Sequence, residues 1–457
     1  MKSFFSRHKV EILVFVLALA VRLCFFFVNL DAAGGDLIAT VRGQDGYYDT
    51  SRNIILGRGF SINPDPPYQE YSYGVPLYPY FLALLASLPG GYATAAMIQL
   101  MLGALIPLLG MRLARRLIPS SPRVPLAVGI ILAFAPYQVL FSFIFYTEAV
   151  FTLIFGAFIM LFVRYLETPS TRLIVWSGVL LGLATLTKPV AQYVLLIAIA
   201  FALWGARKDL NVAVFKRLGY FVIVFIAVIS PWIYRNHAVF DMPNLGSSVS
   251  FNLYMTLLPS VLSIDNHSSF KIEQDKLPIK AADIFYDTPK SVGDDAMREI
   301  TKHPSALMKL SALSAFTFFT HDGMLTFLQA SGIKPDVYLA KPAVVLILTA
   351  PVEFAKTVWA YLHTAMAFVL IGRLFWVGVA ICAFYGLYAL WKSGQFSLQV
   401  GFVVIVVGYF MTTTMINGLT VNARFRMPVE PIIIAIACAG LASLYEAVKR
   451  RYSSEIQ

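Results

Sequence analysis

Apolar residues in this chain come in long blocks, not in the alternation of a half-buried strand or the narrow stripe of a soluble helix. Blocks near 11–29, 93–111, 124–142, 144–163, 173–187, 189–204, 218–234, 374–391, 397–416 and 428–447 approach the roughly 20 residues that take a helix through a bilayer core. Two further apolar runs, 305–320 and 343–369, either both cross or neither does, because the flanking blocks already fix the parity of sides. The pattern predicts an all-α polytopic membrane protein with ten spans or twelve. The alternating segments of a membrane β-barrel, about ten residues each, are absent. Three parts are expected: an N-terminal transmembrane module over 1–240 that includes a first outer loop at 30–92, a long outer stretch over 241–373 with room for additional helices, and C-terminal transmembrane helices over 374–457. The first block is too long for a cleavable signal peptide and lacks a clear small-residue cleavage site, so it is expected to remain as the first helix.

Composition narrows the class further. Of 457 residues, 58% are hydrophobic and 13% are charged, more apolar surface than a water-soluble fold of this size can bury. The net charge of +11 would suggest nucleic acid in a soluble protein, but its placement points elsewhere, and no nucleic-acid partner is expected. Basic residues gather at the ends of alternate blocks: Lys2, Arg7 and Lys9; Arg112, Arg115, Arg116 and Arg123; Arg207, Lys208, Lys216 and Arg217; Lys449, Arg450 and Arg451. By the positive-inside rule both termini lie in the cytoplasm. The opposite face then carries 30–92, the short 142–144 turn, Lys188, 235–373 and 417–427. Cys24, Cys382 and Cys438 all fall inside apolar runs, which excludes a disulfide scaffold. There is no Walker loop and no pair of broken helices at matched positions in two halves.

The outer face carries the candidate chemistry. Asp45 follows the first span beside Gly46, Tyr47 and Tyr48, and residues 45–56 are expected to form a short helix stopped by Gly57 and Gly59. Asp45 is read either as a general base for a hydroxyl at the interface or as a loop carboxylate that caps the helix. Asp49, one turn later, is a second partner or a bystander, and the tyrosines are ligand contacts or interface anchors. Arg235, behind Trp232 and Tyr234, offers a planar fork for a lipid-linked phosphate or snorkels at a helix end. Glu430 lies within the membrane boundary and needs a cation there, with Arg424 or Arg426 as the expected partner. Glu148 and Lys188 lie near outer helix ends, where charges face a cavity or an interface. The six histidines show no metal-ligand spacing, and the first-loop carboxylates are spread rather than clustered, so no metal or other cofactor is expected.

Taken in order, six segments resemble the GT-C glycosyltransferases of the protein-mannosyltransferase and aminoarabinose-transferase type. They are Asp45-Gly-Tyr-Tyr with Leu56-Gly-Arg-Gly-Phe; Tyr73-Gly-Val-Pro-Leu-Tyr-Pro; Thr147-Glu148; the run from Gly178 to Lys188-Pro189; Pro231-Trp-Ile-Tyr-Arg-Asn236; and Arg424-Phe-Arg-Met-Pro-Val-Glu-Pro431. The resemblance implies a GT-C fold, a polyprenyl-phosphate sugar donor, transfer on the outer face of a bacterial inner membrane, and Asp45 as the catalytic residue. The candidate substrate contacts read from the residues are Tyr47, Tyr48, Asp49, Glu148, Lys188, Arg235, Arg424, Arg426 and Glu430. Lys188 stands where many relatives carry arginine. The first loop lacks the acidic pair of metal-dependent relatives, which implies metal independence. The implied partners are the lipid-linked donor, an acceptor glycan, lipid or protein, and membrane lipids. The rival classes are a lipid-oligosaccharide flippase and a repeat-unit polymerase. A flippase should line a central cavity with charge, and mid-span charges such as Arg22 are few here.

Overall fold

A computed structural model describes residues 8–286, 291–333 and 350–455. Among these residues the chain is helical, and apart from an isolated bridge between Ser61 and Glu70 it has no β-structure. In chain order the helices are α1 Lys9–Ala32, α2 Leu37–Val41, α3 Tyr47–Ile55, α4 Leu77–Ala86, α5 Tyr92–Leu117, α6 Val124–Phe134, α7 Pro136–Leu140, α8 Glu148–Glu167, α9 Thr171–Thr187, α10 Val194–Gly205 and α11 Val212–Phe240. The stretch expected outside follows as α12 Ser248–Asn252, α13 Leu258–Asp265, α14 Phe270–Asp275, α15 Ala281–Tyr286, α16 Val292–Ile300, α17 Pro304–Thr320, α18 Met324–Ala330 and α19 Pro351–Leu362. The chain ends in α20 Ala367–Lys392, α21 Leu398–Thr414 and α22 Glu430–Glu455.

Among the described residues seven helices, α1, α5, α8, α11, α20, α21 and α22, are long and apolar enough to cross a membrane by length and composition. The blocks at 124–142, 173–187 and 189–204 are helical too, but in shorter pieces. Two of these pieces end at prolines. Pro136 has no N–H and forces Ala135 into extended backbone (φ −59°, ψ 120°), so the expected 124–142 span divides into α6 and α7. Pro189 likewise ends α9 at Lys188, which is extended (φ −152°, ψ 115°). The 144–163 block begins its helix only at Glu148. The segment before it is a buried turn, and its Phe145 N–H donates to the Val41 carbonyl at 2.6 Å. The expected 45–56 helix is α3, and Gly57 and Gly59 follow it with φ of 68° and 79°. The 305–320 run forms α17. The first part of the 343–369 run lies outside the described residues, and the rest is divided between α19 and the start of α20.

A ladder of fully buried phenylalanines on α8 (Phe151, Phe155, Phe158 and Phe162) packs against Phe402 and Phe410 of α21. Lipid tails are as apolar as these rings, so the ladder contributes through close packing rather than through transfer from water. Polar contacts at the two ends join loops that the charge pattern assigned to the same side. At the basic end Arg115 donates to Glu11 at 2.5 Å, Arg116 pairs with Glu167, and Ser120 donates to Gln395 at 2.8 Å. At the other end lie the first loop, the α7–α8 turn, Lys188 and the 415–427 segment. Helices α12–α16, in the stretch expected on the outer face, form a small subdomain with its own core, including Tyr254, Leu258, Val261, Ala296 and Ile300, seated on α17 and on Ile416 and Leu419.

Candidate active site

Asp45 sits on the turn that opens α3, between two glycines in the left-handed region, Gly43 (φ 67°) and Gly46 (φ 75°). A Cβ on Gly43 would lie 2.9 Å from the Tyr146 ring, and one on Gly46 would lie 2.2 Å from Ile62. Only glycine meets both demands without strain, and the turn so formed presents the Asp45 side chain one-third exposed. The Gln44 N–H donates to the Tyr146 hydroxyl at 2.9 Å, fastening this turn to the segment before α8.

Three other chain segments meet Asp45. Glu148 is the first residue of α8, where the helix dipole favours a carboxylate, and its side chain is fully buried. Lys188, held at the Pro189 break, donates to Glu148 at 2.6 Å. Arg424 lies on a 3₁₀ turn, Ala423–Arg426, capped by the Asn422 side chain, which accepts the Arg424 N–H at 2.9 Å. Its Nε donates to Glu148 at 2.5 Å, and its Nη2 donates to Asp45. The guanidinium stands 4.3 Å over the Tyr146 ring and 5.6 Å from the Phe141 ring. Two carboxylates and two cations thus balance. Burial opposes the charge on Arg424, but Glu148 and Asp45 outweigh it and raise the guanidinium above its ordinary pKa. Tyr47 and Tyr73 line the same place. Burial, with the Asp45 carboxylate adding to it, raises both phenols, Tyr73 to about 12.

The remaining sequence candidates lie apart from this cluster. Asp49 faces Arg42, which donates to both carboxylate oxygens at 2.7 and 3.3 Å. Tyr48 packs on Tyr92, with ring centres 4.7 Å apart. Arg235 pairs with Glu70 at 2.7 Å and donates to Asn236 at 2.8 Å and to the Tyr71 carbonyl at 3.3 Å, framed by Phe60, Trp232 and Phe240. Through Tyr71, whose hydroxyl bonds Thr50 at 3.0 Å, it is tied to α3. Arg426 is fully buried. It donates to the Phe318 and His321 carbonyls at 2.7 and 2.9 Å and stacks 3.5 Å over Trp376. Glu430 lies 3.8 Å from Arg426 and accepts from Gln138 at 2.8 Å. Of the two expected partners for Glu430, Arg426 takes the place and Arg424 turns away. Sequence reasoning missed Tyr73, Tyr146, Phe141 and Gln138. Tyr73 and Tyr146 stood within or beside motifs already singled out, but an apolar chain rich in tyrosine gives no signal of which rings face a charge. Among the described residues no group of three or more His, Cys, Asp or Glu side chains is placed to hold a metal.

Residues 72–234 match the family described as dolichyl-phosphate-mannose-protein mannosyltransferase. No curated protein matches the chain. Among solved structures, the oligosaccharyltransferase of Archaeoglobus fulgidus, tethered with an acceptor peptide, aligns with 97% of this chain and 50% of its own at 15% identity and a TM-score of 0.45. The chain spans half the length of that enzyme. ArnT from Cupriavidus metallidurans, bound to undecaprenyl phosphate, aligns with 94% of this chain and 77% of its own at 17% identity and a TM-score of 0.40. Over residues 72–234, a stretch that holds Glu148 and Lys188, this polytopic chain is similar to the dolichyl-phosphate-mannose-protein mannosyltransferase family.

Proposed function

We propose that this protein moves a sugar from a polyprenyl-phosphate donor to an acceptor hydroxyl on the outer face of a bacterial cytoplasmic membrane, with Asp45 as the general base. The observation that carries this reading is the convergence of Asp45, Glu148, Lys188 and Arg424 on one patch at the end of the bundle. A polyprenyl chain stays in the bilayer, so its sugar phosphate reacts where the helices end. Arg424 and Lys188 supply positive charge for the phosphate, and buried Glu148 holds both in place. A phosphate that takes the Arg424 guanidinium leaves the Asp45 carboxylate free to act. Asp45 then accepts the acceptor O–H proton as the acceptor oxygen bonds to the anomeric carbon. The bond from that carbon to the phosphate oxygen breaks, and polyprenyl phosphate leaves with the electron pair. The scheme runs without a metal, because the two cations supply the charge.

The test presents labelled polyprenyl-phosphate sugars to membranes containing the protein. Label should pass from the lipid to an acceptor fraction with the wild-type chain and stay on the lipid with Asp45→Asn. Equal transfer by both would remove the base. Sidedness is read in a background without the native cysteines. Cysteines at exposed Asp65 and Ser269 should react with an impermeant thiol reagent on intact cells, while one at exposed Ser120 stays protected. The reverse pattern would place the reaction on the cytoplasmic face.

A further inference from the structure

The segment that brings Arg424 to Asp45 is gripped by hydroxyl groups. On the π-helical turn Leu253–Leu257 that joins α12 to α13, Thr256 donates to the Ile416 carbonyl at 3.1 Å. Ser260 of α13 donates to the Thr256 carbonyl at 2.6 Å and accepts the Leu419 N–H at 3.0 Å. Ser314 of α17 donates to the Gly418 carbonyl at 3.2 Å. Gly418 itself has φ 52° and ψ −127°, a conformation that disfavours any side chain. A Cβ there would stand 2.2 Å from the Ser260 hydroxyl oxygen. Two consecutive residues, Gly418 and Leu419, thus give a carbonyl and an N–H to the outer helices, and Arg424 follows a few residues later.

The same subdomain reaches the cluster by a second route. Phe251 of α12 packs edge-on against Tyr73, with ring centres 5.0 Å apart, and Tyr73 feels the Asp45 and Arg424 charges. The outer subdomain lies beyond the 72–234 match.

We propose that Thr256, Ser260 and Ser314 are positioning residues that set Arg424 for its exchange between Asp45 and the donor phosphate, so that the seating of the outer subdomain controls the competence of the site. This rests on the reading of Arg424 as the donor cation. Three side-chain hydrogen bonds to the main chain of one short segment, at Ile416, Gly418 and Leu419, fix its path. Losing one lets the segment open locally and leaves the bundle intact.

The first measurement needs no activity: hydrogen exchange of the purified protein across 415–427. Ser260→Ala should speed exchange there about tenfold, whereas Ser263→Ala, one turn further along α13, should not. Thr256→Val should act like Ser260→Ala, and Thr256→Ser, which keeps the hydroxyl, should restore slow exchange. Wild-type exchange in both Ser260→Ala and Thr256→Val overturns the proposal. The second measurement is a double-mutant cycle on transfer rate. Ser260→Ala should slow wild-type transfer about tenfold and leave Arg424→Lys no slower than before, because both changes act on one guanidinium. Equal factors in the two backgrounds overturn the positioning role. A failure of the Asp45 base is read separately from Asp45→Asn, and a failure of the donor-cation role from Arg424→Ala. Neither alters the exchange result.

Discussion

Arg424 and Arg426 stand two residues apart on one short turn and live in opposite surroundings. On a 3₁₀ turn of about three residues, positions i and i+2 point roughly 120° apart, so one guanidinium faces the Asp45 cluster and the other the helix core. Arg424 is one-fifth exposed and bonds two carboxylates from distant parts of the chain. Arg426 has no exposure and bonds two main-chain carbonyls, with Trp376 across its face. The difference lies in what can replace the partners. A phosphate brings the same charge as a carboxylate and can take its place beside a partly open guanidinium. Main-chain carbonyls and a buried ring have no such substitute, so Arg426 fixes a shape. Glu430, Gln138 and Arg22 extend that fixed node across the bundle. Gln138 donates to Glu430, and its carbonyl accepts from Arg22 at 3.4 Å.

The comparison breaks most sharply at Asp45. Asp45→Asn should keep the fold and cut turnover by about 10²–10⁴-fold, the scale of a lost general base. Near-normal turnover in a correctly inserted protein would reduce the cluster to an ion lock. Next comes Arg426→Ala, which leaves Glu430 buried without its cation. It should cost about 3–5 kcal/mol of stability, read as a lowered melting temperature. Arg426→Met with Glu430→Gln removes both charges and should recover much of that loss. If Arg426→Ala lowers donor affinity instead while stability holds, the assignment of the two arginines is reversed. Arg424→Ala should weaken binding of a polyprenyl-phosphate sugar roughly 10- to 100-fold, with a smaller change in melting temperature. Arg424→Lys should restore part of the affinity, since it brings the charge without the fork.

Much of this architecture was legible in the sequence. A helix needs about 20 apolar residues to cross a bilayer, and blocks of that size marked the places where the helices form. The short first-loop helix and its glycine stop were also readable, because left-handed glycine ends a helix locally. The deviations came at Pro136 and in the turn before Glu148, where one backbone constraint moved an end by several residues. The candidate residues were legible as charges near helix ends, and their pairing was not. Glu148 and Arg424 are 276 residues apart, and Arg424 and Asp45 are 379 apart. No local rule separates Arg424 from Arg426, because the identity of each partner depends on how α8, α17 and the 415–427 segment pack. The aromatic lining was hidden for a related reason. Tyrosine at a membrane surface is a common anchor, so its presence says little about which ring meets a charge.

Tyr73 offers the finest division between a group that titrates and one that only lines the site. Its phenol is pushed up to about 12, chiefly by burial and further by the Asp45 carboxylate, since a second negative charge beside Asp45 is unfavourable. Tyr73 therefore stays protonated between pH 6 and 10 and serves there as a neutral donor or a packing surface. Tyr73→Phe keeps the ring that meets Phe251 and removes only the hydroxyl. Transfer should fall by a small factor, about 3- to 10-fold, in keeping with the loss of one neutral hydrogen bond. The pH profile of kcat/KM between pH 6 and 10 should keep its shape and simply move down. A profile that loses a limb in Tyr73→Phe would make the phenol the titrating group. Asp45 would then be left as its electrostatic partner, and the division between an exchanging cluster and a fixed lining would have to be redrawn around Tyr73.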